Sequence, residues 1–229
     1  SFYSGALAAG ALGYFGARYF FARPPADALA IAFVATFSNT LLLGLPITER
    51  AYGAEALAGN YAIIAIHSPL LYAIGISLME IIRSKGQGLA KLALTRRVVK
   101  SILSQPMVIG ILAGFAVNLS GLPLPGVVAS AVDMMVRAAI PAALFGLGGV
   151  LLRYRPEGDM KTIAFVSLLT LIIHPMITFG LGHFFKLDVD QMRSAVVTAA
   201  MAPGVNAFLF ANMYGVAKRV AASTVLLTT

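Results

Sequence analysis

The chain has no cysteine, no tryptophan and only nine acidic residues among its 229. Without cysteine there can be no disulfide, no thiolate metal site and no cysteine nucleophile. Without tryptophan, any anchoring at a membrane boundary falls to the eight Tyr and fourteen Phe. Charged residues of both signs make up 11% of the chain, against about 25% in an ordinary soluble domain. So few charges cannot cover the surface of a soluble protein of this length. That excludes a soluble enzyme domain, a disordered tail and a secreted disulfide scaffold. What is present is apolar: 59% of residues are hydrophobic and the mean hydropathy is +0.86. The composition describes an integral membrane protein.

A membrane-crossing helix needs ~20 largely apolar residues. Seven runs qualify, at roughly 2–21, 28–48, 56–82, 101–119, 127–152, 162–185 and 194–217, and an apolar stub starts at Val220. The fold class is therefore all-α. The chain starts with Ser and stops inside the stub, which reads as truncation at both ends. Short separators divide the runs, the longest and most basic being 83–100, and none could hold a soluble domain.

The net charge of +8 raises the question of nucleic acid. Locating the bases answers it. Consecutive spans alternate direction, so alternate separators share a side. Arg18, Arg23, Arg83, Lys85, Lys91, Arg96, Arg97, Lys100, Arg153, Arg155, Lys161, Lys218 and Arg219 fall on one side, while Arg50, Lys186 and Arg193 fall on the other. Thirteen against three marks the first side as cytoplasmic. The basic loop 83–100 is expected there as a topology signal in contact with anionic lipid, with no nucleic-acid role. Arg137 alone lies inside a span.

Two spans are polar and punctuated. One reads Phe37-Ser38-Asn39-Thr40-Leu41-Leu42-Leu43-Gly44-Leu45-Pro46 and the other Met201-Ala202-Pro203-Gly204-Val205-Asn206. Proline removes a helix hydrogen bond and clashes with the preceding turn, and in lipid the freed carbonyls need protein or water partners. Gly/Pro-interrupted spans at corresponding places in two halves point to a transporter site. The halves are residues 1–82 and 101–229, joined by the loop 83–100. Five spans in the second half, the fourth interrupted, match three of five in the first. The first two helices and most of the last are then missing from this chain. An odd count per half gives opposite orientations, hence an inverted repeat. The interrupted spans also end alike, in Arg50-Ala51-Tyr52-Gly53 and Asn212-Met213-Tyr214-Gly215.

These two segments, with Ile140-Pro141-Ala142-Ala143-Leu144-Phe145-Gly146 and the His174-Pro175 step, resemble the auxin efflux carrier family over nearly the whole chain. The short loops are similar to those of its bacterial malonate and organic-anion carriers. The resemblance implies a ten-helix (5+5) inverted-repeat secondary carrier whose fourth and ninth helices unwind at their prolines and cross at mid-membrane. It implies a small carboxylate substrate, malonate-like, malate-like or auxin-like, moved by alternating access across a bacterial inner membrane. It also suggests a homodimer formed through the scaffold.

The candidate binding set is Ser38, Asn39, Thr40, Pro46, His67, Pro203, Gly204, Val205 and Asn206. Two readings stand for Asn39 and Asn206: donation to a substrate carboxylate beside freed helix N-termini, or satisfaction of backbone unpaired by the prolines. His67, in the polar break Ile66-His67-Ser68-Pro69, either meets substrate or a coupling proton or is a neutral interhelical partner. His174 and His183 read as structural and interfacial. Asp133 and Arg137 stand four apart on one face, as a structural ion pair or as a coupling or gating pair. Enzyme motifs are absent, and neither metal nor cofactor is expected. A sodium-coupled carrier similar to the bile acid transporters is the alternative, although no acid lies inside either interrupted span. A membrane ligand sensor that binds without flux is the other.

Overall fold

The computed structural model describes residues 1–84, 91–104, 106–151 and 159–229. Lys85, Arg153 and Arg155 lie outside the described residues. Twelve α-helices follow one another among them: α1 Phe2–Tyr19, α2 Pro25–Thr36, α3 Leu45–Tyr52, α4 Ala58–Ser84, α5 Lys91–Leu103, α6 Pro106–Ser120, α7 Gly126–Leu151, α8 Met160–Leu168, α9 His174–Phe184, α10 Val189–Ala199, α11 Val205–Tyr214 and α12 Lys218–Thr228. No strand occurs among the described residues; the one pairing of extended backbone is an isolated bridge between Ser38 and Pro203. Among the described residues two helical stretches, Ala54–Ser84 and Met160–Phe184, are long and apolar enough to cross a membrane. The expected spans 28–48 and 194–217 are each divided by non-helical backbone, at 37–39 and at 200–204.

Buried α2 is the centre of the protein. Every residue from Ala28 to Thr36 is buried, which suits a helix surrounded by others rather than one with a lipid face. α1 packs along it through small residues. A Cβ on Gly10 would collide with Thr36, and one on Gly13 would come within 3.1 Å of the Ala35 Cβ. Glycine at these points therefore lets the backbones approach, as membrane helices require where no hydrophobic force separates protein from lipid. On its other side Phe33 stacks on Phe210 of α11 with ring centroids 4.0 Å apart. Phe37 and Tyr72 complete an aromatic cluster joining α2, α4 and α11.

Two π-helical turns, Thr40–Gly44 and Leu169–Ile173, each come directly before a residue-proline step, Leu45-Pro46 and His174-Pro175. The cause is steric. In an α-helix a proline ring collides with the carbonyl four residues back. A wider turn carries the chain past it: Leu45 donates to the Thr40 carbonyl and His174 to that of Leu169, both five residues back. Pro46 therefore lies in the first turn of α3, where a missing N–H costs little.

Long-range polar contacts join separators that the charge partition places together. Arg23 pairs with Asp159 at 3.2 Å. Asp159 caps α8 by accepting from the Lys161 N–H, and the Thr162 hydroxyl donates to it at 2.6 Å. That hydroxyl holds the Asp159 carboxyl below the usual carboxylate range, with Arg23 acting in the same direction. Arg83 lies 4.8 Å over the Tyr214 ring and donates to the Tyr214 carbonyl. On the sparsely charged side, Arg193 lies 4.5 Å over the ring of Tyr52.

Candidate functional site

The helices α2 and α10 stop inside the expected spans, at Thr36 and Ala199. The extended segments that follow pair antiparallel. Asn39 N–H donates to the Ala202 carbonyl at 2.8 Å, and Gly204 N–H donates to the Phe37 carbonyl at 3.0 Å. Pro203 fits because the pairing uses the N–H after it and not its own missing one. Each segment thus satisfies backbone that the other's interruption leaves free, as buried backbone requires.

Beyond the paired backbone, helix starts again in both segments, with different ends. Asn39 caps the π turn: its Oδ1 accepts from Leu42 N–H at 3.1 Å. Its Nδ2 is buried and has no partner among the described residues. α11 starts at Gly204, and no side chain caps it. A cavity of about 350 Å³ opens at this place, lined on its polar side by Ser38, Asn39, Thr40, Ser68 and Asn206, with Gly204 and Val205 at the start of α11. Ile111 of α6 and Ala139 of α7 close it from the other side.

The cavity holds an unusual combination. It contains an amide donor without an acceptor, a helix N-terminus with no side-chain cap and, among the described lining residues, no lysine or arginine. Helix N-termini attract anions through their free N–H groups and aligned dipoles. A buried amide N–H without a partner costs roughly 1–3 kcal/mol, so an acceptor entering here recovers that penalty. The chemistry suits a small, planar acceptor such as a carboxylate.

Histidines flank the crossing. The Nε2 of His174 lies 3.4 Å from the Phe2 carbonyl and its Nδ1 3.3 Å from Ser38 Oγ. A carbonyl can only accept, which assigns the ring proton to Nε2 and makes the Ser38 hydroxyl the donor to Nδ1. His67 is buried with its ring edge-on to Phe37 at 4.6 Å. It lies beside the crossing and not among the residues lining the cavity. Pro46 is likewise outside the lining.

Asp133 and Arg137 pair at 2.9 Å, both side chains exposed. At 100° per residue they sit ~120° and ~160° around α7 from Ala139, the α7 residue at the cavity. The helix turns both away from it.

Two features escaped sequence reasoning. Ser68 lines the cavity, although only its neighbour His67 had attracted notice; its signal was the polar pair ahead of Pro69. Asn60 is fully buried, and its Nδ2 donates to Thr48 at 3.0 Å and Thr198 at 3.1 Å. It ties α3, α4 and α10 together behind the crossing. A lone Asn in an apolar run gave the only hint.

Comparison with known proteins identifies the family of the chain. Residues 1–229 match the family described as "Membrane transport protein". The chain is 25% identical over 208 residues to a Rhizobium meliloti (strain 1021) protein named "Putative malonate transporter", covering 89% of this chain and 63% of that one. It is 23% identical over 207 residues to "Uncharacterized transporter YfdV" of Escherichia coli (strain K12), covering 90% of this chain and 65% of that one. The chain thus spans less than two thirds of the length of these relatives. It belongs to the membrane transport protein family, the auxin efflux carrier family that its motifs resemble, and that is a family of transporters and not of enzymes.

Proposed function

We propose that this member of the membrane transport protein family is a secondary carrier of a small organic anion, a malonate-like dicarboxylate in the first instance. Residues 1–82 and 101–229 belong to two inverted repeats, joined through the basic cytoplasmic segment 83–100. The interrupted helices α2–α3 and α10–α11 are their crossed elements. Substrate sits in the cavity at the crossing, with one carboxylate taking the free Nδ2 of Asn39 and facing the start of α11. Alternating access moves the crossing elements against a scaffold that includes α7, and Asp133 and Arg137 brace that scaffold.

The observation that carries this reading is the buried, unpartnered Asn39 amide at the mouth of an uncapped helix. The relative named for malonate transport supports the substrate class, and the membrane orientation rests on the sorting of thirteen bases to one side. Contacts between separators expected on the same side, Arg23 with Asp159 and Arg193 with Tyr52, agree with that orientation.

The test is flux into proteoliposomes over a panel of mono- and dicarboxylates, with pH and sodium gradients varied separately. Saturable dicarboxylate uptake that falls with Asn39→Ala is the expected result. Uptake that survives Asn39→Ala together with Asn206→Ala would remove the crossing as the site. Saturable binding without flux would make the protein a sensor, and a strict sodium requirement would make it a sodium symporter.

A further inference from the structure

One helix begins in the segment between the two halves, runs into the first three residues of the expected span 101–119, and has an exposed face to which the transport reading gives no role. α5 comprises thirteen residues, Lys91–Leu103. At 1.5 Å per residue it is ~20 Å long, too short to cross a hydrocarbon core of ~30 Å. Its sequence is nonetheless neither all polar nor all apolar, and its surface divides into three sectors.

One sector faces the protein. Val98 and Ile102 are half-buried and pack against the central core. The second sector is apolar and open: Leu92 is 81% exposed, Leu103 51% and Val99 47%. Helical geometry places these three within ~40° of one another, so they form one stripe. The third sector is basic. Arg96 and Lys100 are exposed and lie ~20–60° further round, beside the stripe. A helix exposed only to water would not keep three large apolar side chains in line. A helix immersed in hydrocarbon would not keep two cations beside them. The boundary between lipid tails and headgroups accommodates both.

Neighbouring charge extends the basic sector. Arg83 at the end of α4 contacts Tyr214 at the end of α11. The exposed Lys218 and Arg219 start the next helix, only a short turn further on. The charge partition assigns these bases to the same side of the membrane as Arg96 and Lys100.

We propose that α5 lies flat in one leaflet and binds its anionic lipid, with Leu92, Val99 and Leu103 in the acyl boundary and Arg96 and Lys100 on the phosphates. The helix then ties the connection between the two halves to the membrane surface. Charge complementarity commits the surface to anionic lipid, because a zwitterionic headgroup layer gives the cations no net attraction. The inference needs only that the chain is a membrane protein; it holds whether or not the substrate is an anion.

The absence of cysteine makes the test direct. Single spin labels are placed at Leu92→Cys, Val99→Cys, Leu103→Cys and Lys100→Cys in the full chain. The protein is reconstituted in phosphatidylcholine vesicles with and without phosphatidylglycerol. Collision with oxygen and with a water-soluble nickel chelate reports depth. With anionic lipid present, labels at 92, 99 and 103 should favour oxygen and lie about 5–10 Å below the phosphates, while the label at 100 favours nickel. Neutralising Arg96→Gln plus Lys100→Gln in the Leu92→Cys background should move that label towards nickel, and the charge-keeping Arg96→Lys plus Lys100→Arg should leave it in place. Labels at 92, 99 and 103 that favour nickel throughout would overturn the proposal, as would labels shielded from both reagents, which would mean that protein covers the stripe. A depth indifferent to phosphatidylglycerol would overturn the choice of anionic lipid.

Discussion

The two crossing segments meet backbone to backbone, yet they are built from different parts. In the first, the extended residues are Phe37–Asn39, and the proline comes well after them, behind a π turn in α3. In the second, Pro203 lies in the crossing itself and pairs with Ser38, and the chain re-enters helix at once. The first contributes a side-chain donor, because Asn39 has one amide end fixed by Leu42 and the other free. The second contributes a helix start with no side-chain cap, because its N-cap residue is glycine. On the carrier reading proposed above, neither segment would make the anion site alone. The difference teaches that the pairing needs only backbone from each segment, whereas the chemistry of the proposed site would need the side-chain donor of one and the helix start of the other.

Separating the two jobs of Asn39 breaks that comparison most severely. Asn39→Ala removes both cap and donor, while Asn39→Ser keeps an oxygen for the cap and loses the amide. Both should weaken substrate binding about tenfold to a hundredfold, the range of a hydrogen bond to a charged group. Only the alanine variant should also lose about 1 kcal/mol of stability from the missing cap. Binding affinity beside thermal denaturation checks this; a serine variant that binds as well as the parent would return Asn39 to a purely structural role.

Next comes the bare N-terminus. A Cβ on Gly204 would meet Asn39 Cα at 3.5 Å and Phe37 Cδ1 at 3.6 Å, ordinary contacts at an unstrained backbone angle. Gly204→Ala should therefore fold and transport. Gly204→Leu pushes into the cavity and against Phe37, and overpacking of that kind costs about 1–3 kcal/mol. Its uptake should fall several-fold with a lower thermal midpoint. Equal behaviour of the two variants would show that the space at α11 is not used.

Much of this was legible in the residues, and the failures have physical causes. Sequence identified both polar segments and placed separators together that the structure joins through Arg23–Asp159 and Tyr52–Arg193. It also noticed the Tyr-Gly endings, which prove to be helix ends closed by glycines at φ 85° and 73°. It assigned the first unwinding to Pro46, whereas the non-helical backbone lies at 37–39. Proline constrains the turn before it, and a π turn absorbs that constraint locally, so where the helix opens was decided by the polar trio and the partner strand. Asn60 and Ser68 were missed because their roles depend on Thr48, Thr198 and the cavity, all distant in the chain. No periodicity encodes such contacts.

The prolines themselves should then respond unequally. Pro46→Ala restores an N–H where the wide turn already satisfies the backbone. It should alter stability by at most about 1 kcal/mol, chiefly through the freer unfolded chain, and leave uptake intact. Pro203→Ala gives the crossing an N–H with no place in the pairing and allows α10 to continue. Uptake should fall more for this variant than for Pro46→Ala, and the reverse ranking would mean that the π turn is the moving part.

The smallest effects belong to the arginine–tyrosine contacts that close the two helix ends. Cation–π pairs at exposed sites are worth about 0.5–1 kcal/mol. Arg83 does more than lie over Tyr214: it also donates to that residue's carbonyl, and the Tyr214 hydroxyl donates to Glu80 at 3.3 Å. Arg193 shares its guanidinium between the ring of Tyr52 and Asp190, at 2.8 Å. Arg83→Gln should therefore lower the thermal midpoint further than Arg193→Gln. The two clusters are built on different residues, Glu80, Arg83 and Tyr214 in one and Tyr52, Asp190 and Arg193 in the other, so the double variant should equal the sum within about 0.5 kcal/mol. A larger departure would mean that the two ends communicate through the crossing, and the independence of its two halves would be the part of the comparison that fails.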